Sequence, residues 1–160
     1  MNVYQQVANN QRLAGNFTHG ELAETERLFA QFKRRGLWEG VRGWASRRSA
    51  ALTDLGSAVG TKTDLTSSNE GTQTVPLEKI TGTLERNRTY DFDSNFRPTS
   101  DRTKERWMAV ATLFRRGRTI APIDLIQYGQ RYFVVDGHHR VSVAKALGWD
   151  SLQANVTMIS

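Results

Sequence analysis

Phe133-Val134-Val135-Asp136-Gly137-His138-His139-Arg140-Val141-Ser142-Val143-Ala144 is the stretch whose reading decides the fold. Phe133 to Val135 is an apolar, largely β-branched run of the kind that forms a buried strand. Asp136 closes the run, and Gly137 offers the permissive backbone that a sharp turn needs. A helix then begins at His138 and runs to Leu147, where Gly148 stops it.

The neighbouring segments extend the pattern in both directions. Ile123–Gln127 and Arg131–Val135 read as strands joined by Tyr128-Gly129-Gln130 as a tight turn, and a last strand lies near Leu152–Val156. Upstream, Thr99 or Ser100 can cap a helix running to about Arg116. Its apolar stripe is Trp107, Val110, Ala111 and Phe114, at i, i+3, i+4 and i+7, and Gly117 ends it. Tyr90 to Pro98 reads as irregular structure. Thr74–Ile80 reads as an edge strand, a position where Pro76 is tolerable. Strands and helices mixed in this way predict a compact α+β domain over 74–160, with a small mixed sheet and packed helices.

The N-terminal part has a different texture. From His19 to Leu55 the pattern is helical, with Leu22, Leu28, Phe29 and Phe32 near helical spacing. Gly36 interrupts it, and Trp38, Val41 and Trp44 follow, which predicts two short helices in an extension over 1–55. Residues 56–74 contain eleven Gly, Ser or Thr in nineteen, so 56–73 reads as a linker or mobile loop. The Trp38/Trp44 region, surrounded by arginines, suits a protein partner or a homodimer contact, with nucleic acid or a membrane surface as the alternatives.

Composition narrows the chemistry. The chain has 160 residues, 38% hydrophobic and 24% charged, which permits a packed core. It has no cysteine, which excludes disulfides, thiolate zinc sites and cysteine nucleophiles. Apolar runs are too short to span a membrane, and Met1 to Gly20 lacks the apolar stretch of a secretory signal, so a cytoplasmic protein is expected. Net charge is +6, and the segment 97–118 holds seven basic and two acidic residues. Arg102 and Arg106, at i, i+4, with Arg115, Arg116 and Arg118 could meet DNA phosphates. The plainer reading is a solvated face whose last cations complement the helix dipole.

Chemistry concentrates at the turn before the last helix. Free N–H groups and the positive end of a helix dipole suit an anion there. His138 and His139 add donors, and Arg140 can hold two phosphate oxygens at once. Asp136 would cap the helix, orient a histidine, or bind a cation beside phosphates. The bland alternative is a helix cap with solvated histidines. Adjacent histidines on a helix point about 100° apart, so no dedicated transition-metal site is expected; Mg²⁺ carried in with a nucleotide, touching Asp136, is easier to accommodate.

Asp136-Gly137-His138-His139-Arg140, with its small-residue helix and Gly148, resembles the signature of the ParB/sulfiredoxin superfamily. The preceding pieces agree in order: Val75-Pro76-Leu77-Glu78-Lys79-Ile80, Phe96-Arg97-Pro98, a helix, and Ile120-Ala121-Pro122-Ile123. The resemblance covers about residues 74–160. It implies a ParB N-terminal-like fold whose glycine–arginine box cradles the phosphates of CTP or ATP with magnesium, and nucleotide hydrolysis in some members. In the roles it implies, Gly137 admits the ligand, the amides of His138 and His139 hold phosphate oxygens, and Arg140 and Arg97 neutralise charge. For Arg97, a solvated turn arginine is the alternative. Sulfiredoxin chemistry needs a cysteine in the box, so that activity is not expected. A partition clamp has a further magnesium motif and a helix-turn-helix after this fold; the sequence stops about twelve residues past Gly148, so neither is expected. In the free-serine-kinase branch a carboxylate base follows the first strand, and Glu85 is roughly so placed. The remaining readings are a DNA-binding or nuclease-like ParB relative using the basic helix 100–118, and a regulatory or scaffold module with a vestigial pocket.

Overall fold

The computed structural model describes residues 17–42, 51–62 and 64–160, with the backbone alone for 36–42. Helix α1 (His19–Arg42) leads to a short strand β1 (Thr53–Asp54) and helix α2 (Leu55–Val59). Strands β2 (Ser67–Pro76) and β3 (Ile80–Thr83) come next, then helix α3 (Lys104–Arg115) and the hairpin β4 (Ile123–Tyr128) and β5 (Arg131–Asp136). Helix α4 (His138–Ala146) and strand β6 (Ser151–Ile159) complete the chain. The order of pieces that the resemblance implies is the order found, and the architecture is mixed α+β.

The six strands form one sheet in the order β1-β3-β5-β4-β6-β2. The β4–β5 and β2–β6 pairs are antiparallel, and β1–β3, β3–β5 and β4–β6 are parallel. Strand alternation sorts the side chains between the two faces. Leu152, Ala154 and Val156 of β6 enter the core with Ile123, Leu125 and Val134, against Phe29 and Phe32 of α1, Trp107 of α3 and Val141 and Val143 of α4. Trp107 is fully buried, meets Phe29 edge-on at 5.4 Å and donates its indole N–H to Ser142 Oγ at 2.8 Å. Its expected stripe is the buried face of α3.

The other face of β6 is polar. Asn155 donates to Asp124 and accepts from Thr72, and Gln153 donates to Thr74. These bonds let β2 lie at the sheet edge without large apolar side chains, since threonine favours the pleated backbone. Hence part of the segment expected as a linker over 56–73 is strand, and another part is α2. The edge position expected for the Pro76 strand is the one found, but the strand expected over Thr74–Ile80 stops at Pro76: Leu77–Lys79 is a 3-10 turn, and Ile80 opens β3, between β1 and β5. Residues 51–55, expected in the helical extension, contribute β1 and the buried Leu52 to the sheet and its core.

The expected break at Gly36 is also corrected, because α1 runs unbroken from His19 to Arg42. One glycine costs a helix only about 1 kcal/mol, too little to end one that is otherwise supported. Support comes from Phe29 and Phe32 in the core and from a row of ion pairs to α3 and the residues flanking it. Glu21 meets Arg116 at 2.7 Å, Lys33 meets Asp101 at 2.9 Å, and Glu24 and Glu26 meet Arg115 and Lys104. Trp38 falls where only the backbone is described, and Trp44 lies outside the described residues. Among the described residues no helix is long and apolar enough to cross a membrane.

Candidate functional site: the turn into helix α4

β5 delivers the chain to Asp136, and Gly137 reverses it with φ 105°. A Cβ added at Gly137 would lie 2.5 Å from Ile123 Cγ2, so the turn demands glycine both for its backbone and for its packing. Helix α4 starts at once, and no side chain caps it. Its first N–H groups therefore have no carbonyl within the helix to receive them.

Arg140 is placed differently from the expectation of a free phosphate fork. Its Nη1 donates to the carbonyls of Ala121 and Pro122 at 2.7 and 2.9 Å, and its Nη2 meets Asp136 Oδ2 at 2.7 Å. Burial pulls its pKa below an ordinary arginine's, with Asp136 and Asp124 opposing. The guanidinium thus ties the start of β4 to the end of β5, and Asp136 holds the guanidinium rather than standing ready for a cation.

Both histidines are buried, at 4% and 8% exposure, so the alternative of a cap with solvated histidines does not describe them. Phe92 covers the pair, stacked on His138 at 6.3 Å and edge-on to His139 at 5.4 Å. Burial pushes His138 down to about 4 and His139 to about 3, helped by the positive charges of Arg88 and Arg106. Both imidazoles are consequently neutral at pH 7. His138 Nε2 lies 2.7 Å from Thr83 Oγ1, whereas His139 Nε2 has no hydrogen-bond partner although it is buried. Thr83→Val should cost about 1–2 kcal/mol, because it orphans the His138 nitrogen and the Glu85 amide together. Urea unfolding checks this, and Thr83→Ser should restore most of the loss.

Glu85 sits next to this cluster by main chain, its N–H donating to Thr83 Oγ1 at 3.0 Å, but its carboxylate takes Arg88 Nε at 3.1 Å. Arg97 is brought elsewhere. It lies 3.8 Å from Asp93, in a loop where Phe96 has φ 59° and packs its ring 5.1 Å from Lys145. Lys145 is in the last turn of α4, about 10 Å along the helix from the Asp136 turn. Of the arginines expected on a nucleic-acid face, Arg102 meets Asp91, and Arg115 and Arg116 meet the carboxylates of α1. Arg106 and Arg118 make no side-chain hydrogen bond or ion pair among the described residues.

Three participants were not marked by the sequence. Phe92 and Asp91 come from the segment that reads only as irregular, and Arg88 lies just before it. Burial disfavours charge on Asp91, but hydrogen bonds from Arg102 and Arg88 outweigh it and hold the carboxylate below its usual range. The Glu85-x-x-Arg88-x-x-Asp91 spacing is the signal available, since it places one cation between two acids. No group of three or more histidine or acidic side chains suited to a metal occurs among the described residues, so magnesium fits this turn only with ligands of its own.

No family model matches the sequence, and no curated protein matches it. Solved structures similar to the chain include two. Sulfiredoxin from Arabidopsis thaliana is 24% identical, with a TM-score of 0.40, over 53% of this chain and 82% of that one. A Pnob8-like ParB-N domain is 20% identical, with a TM-score of 0.38, over 61% of this chain and 32% of that one.

Proposed function

We propose that the turn into α4 binds the phosphates of a nucleoside triphosphate, CTP or ATP, with magnesium carried on the phosphates. The observation that supports this reading best is His139 Nε2, a buried polar atom without a partner in the first turn of an uncapped helix. An orphaned nitrogen of this kind costs about 1–3 kcal/mol, and a ligand oxygen would relieve it.

The roles divide as follows. Gly137 lets a phosphate approach the backbone, and the amides of His138 and His139 donate to it. Arg106 supplies the neutralising charge, because its field acts on His138, His139 and Arg140 while it has no acid of its own. Arg140 and Asp136 hold the turn in shape. Magnesium would supply charge neutralisation between phosphate oxygens. Binding rather than hydrolysis is the reading favoured here, since Glu85 and Asp91 are both engaged by arginine.

Thermal melts with each of the common nucleoside triphosphates, with and without magnesium, test the proposal. At a hundredfold excess over Kd the protein should gain about 2.7 kcal/mol, or about 5–10 °C. Arg106→Gln should lose most of that gain while the ligand-free melt stays unchanged. An unchanged wild-type melt with every nucleotide would sink the reading.

A further inference from the structure

A concavity lies away from the histidines, where the segment 118–123 passes the start of β6. It measures about 240 Å³ and is floored by Ile120 and Leu152. Trp149 forms one wall. Its indole stacks on Phe114 at 4.8 Å with an interplanar angle of 24°, yet 42% of the residue stays exposed. Arg118, held by a main-chain bond from its N–H to Leu113, brings the cation. Ser151 and Gln153 add a hydroxyl and an amide, and no aspartate or glutamate lines the space.

These features select a ligand class. A supported indole beside aliphatic side chains takes a flat ring, since offset stacking adds to the burial of apolar area. An arginine without a carboxylate partner, lining a cleft that holds no acid, takes an anion whose two oxygens match its fork, as a planar carboxylate's do. The size sets the limit: ligand pockets for drug-sized molecules run to about 300–1,000 Å³, so this one accepts a single ring. We propose that the cleft binds a small aromatic carboxylate, with its ring on Trp149 and its carboxylate on Arg118. This site does not depend on nucleotide binding at α4.

The test is a titration of the ¹⁵N-labelled protein with phenylacetate, following the indole N–H signal of Trp149, which is identified by its loss in Trp149→Leu. A saturable shift is expected with phenylacetate, with at least tenfold weaker responses to 2-phenylethanol, which lacks the charge, and to acetate, which lacks the ring. Arg118→Gln, which removes no side-chain hydrogen bond or ion pair among the described residues, should weaken phenylacetate binding about tenfold. No saturable shift, equal responses to all three compounds, or undiminished binding by Arg118→Gln would each overturn the proposal.

Discussion

Arg140→Ala should lower the melting temperature by about 10 °C, from a loss of about 3–4 kcal/mol. Three charge-assisted bonds disappear at once, and they join parts of the chain that nothing else in the turn connects so directly: the Ala121 and Pro122 carbonyls and the Asp136 carboxylate. Each such bond is worth about 1.5–3 kcal/mol, but the acceptors are partly exposed and rehydrate, which holds the total below the simple sum. Asp136 in particular is 46% exposed and recovers much of its solvation. Arg140→Lys should fall between the two proteins, because an ammonium reaches fewer of these acceptors than the planar fork does. Differential scanning calorimetry decides it. An alanine variant that melts with the wild type would show that the guanidinium does not brace the turn. The same reasoning makes Arg140 a poor probe of ligand binding, since its loss deforms the site it would report on; Arg106 is the cleaner one.

The difference between these two arginines marks the limit of what the sequence discloses. Periodicity revealed the stripe Trp107, Val110, Ala111 and Phe114 because a helix face is a local property, and all of them are buried. Gly137 was legible for the same reason, as a turn between a strand and a helix. Arg140's partners were not, because the carbonyls it holds lie 18 and 19 residues away and meet it only through sheet packing. The burial of His138 and His139 depends on Phe92 and Thr83, again from distant segments. The first part of strand β2, residues 67–73, escaped notice because an edge strand held by hydrogen bonds such as those of Thr72 and Thr74 needs no apolar alternation. The excess charge in 97–118 suggested a nucleic-acid face, whereas Arg115 and Arg116 are answered by Glu24 and Glu21 from across the chain. Charge counted along a sequence says little about charge left over after folding.

Stability should fall steeply between pH 7 and pH 5, by about 2 kcal/mol for each of the two buried histidines. In the unfolded chain both imidazoles titrate near 6.5, whereas in the folded protein His138 protonates at about 4 and His139 at about 3. The folded state therefore binds fewer protons than the unfolded state throughout this window, so acid favours unfolding. The stabilisation is complete above pH 6.5, declines as pH falls, and is spent once the folded values are passed. Asp91 contributes little in the same range, because its carboxyl protonates only near pH 4 in the unfolded chain and lower still when folded, where Arg102 and Arg88 hold it below its ordinary value. Urea unfolding at intervals of pH should give a slope approaching two protons between pH 6 and pH 5. His139→Gln should reduce that slope to one, since glutamine does not titrate. A phosphate ligand would oppose the loss, because an anion beside these imidazoles raises their pKa values. Stability that stays flat from pH 7 to pH 5 would mean that the imidazoles are solvated after all, and would remove the buried neutral pair on which the site is built.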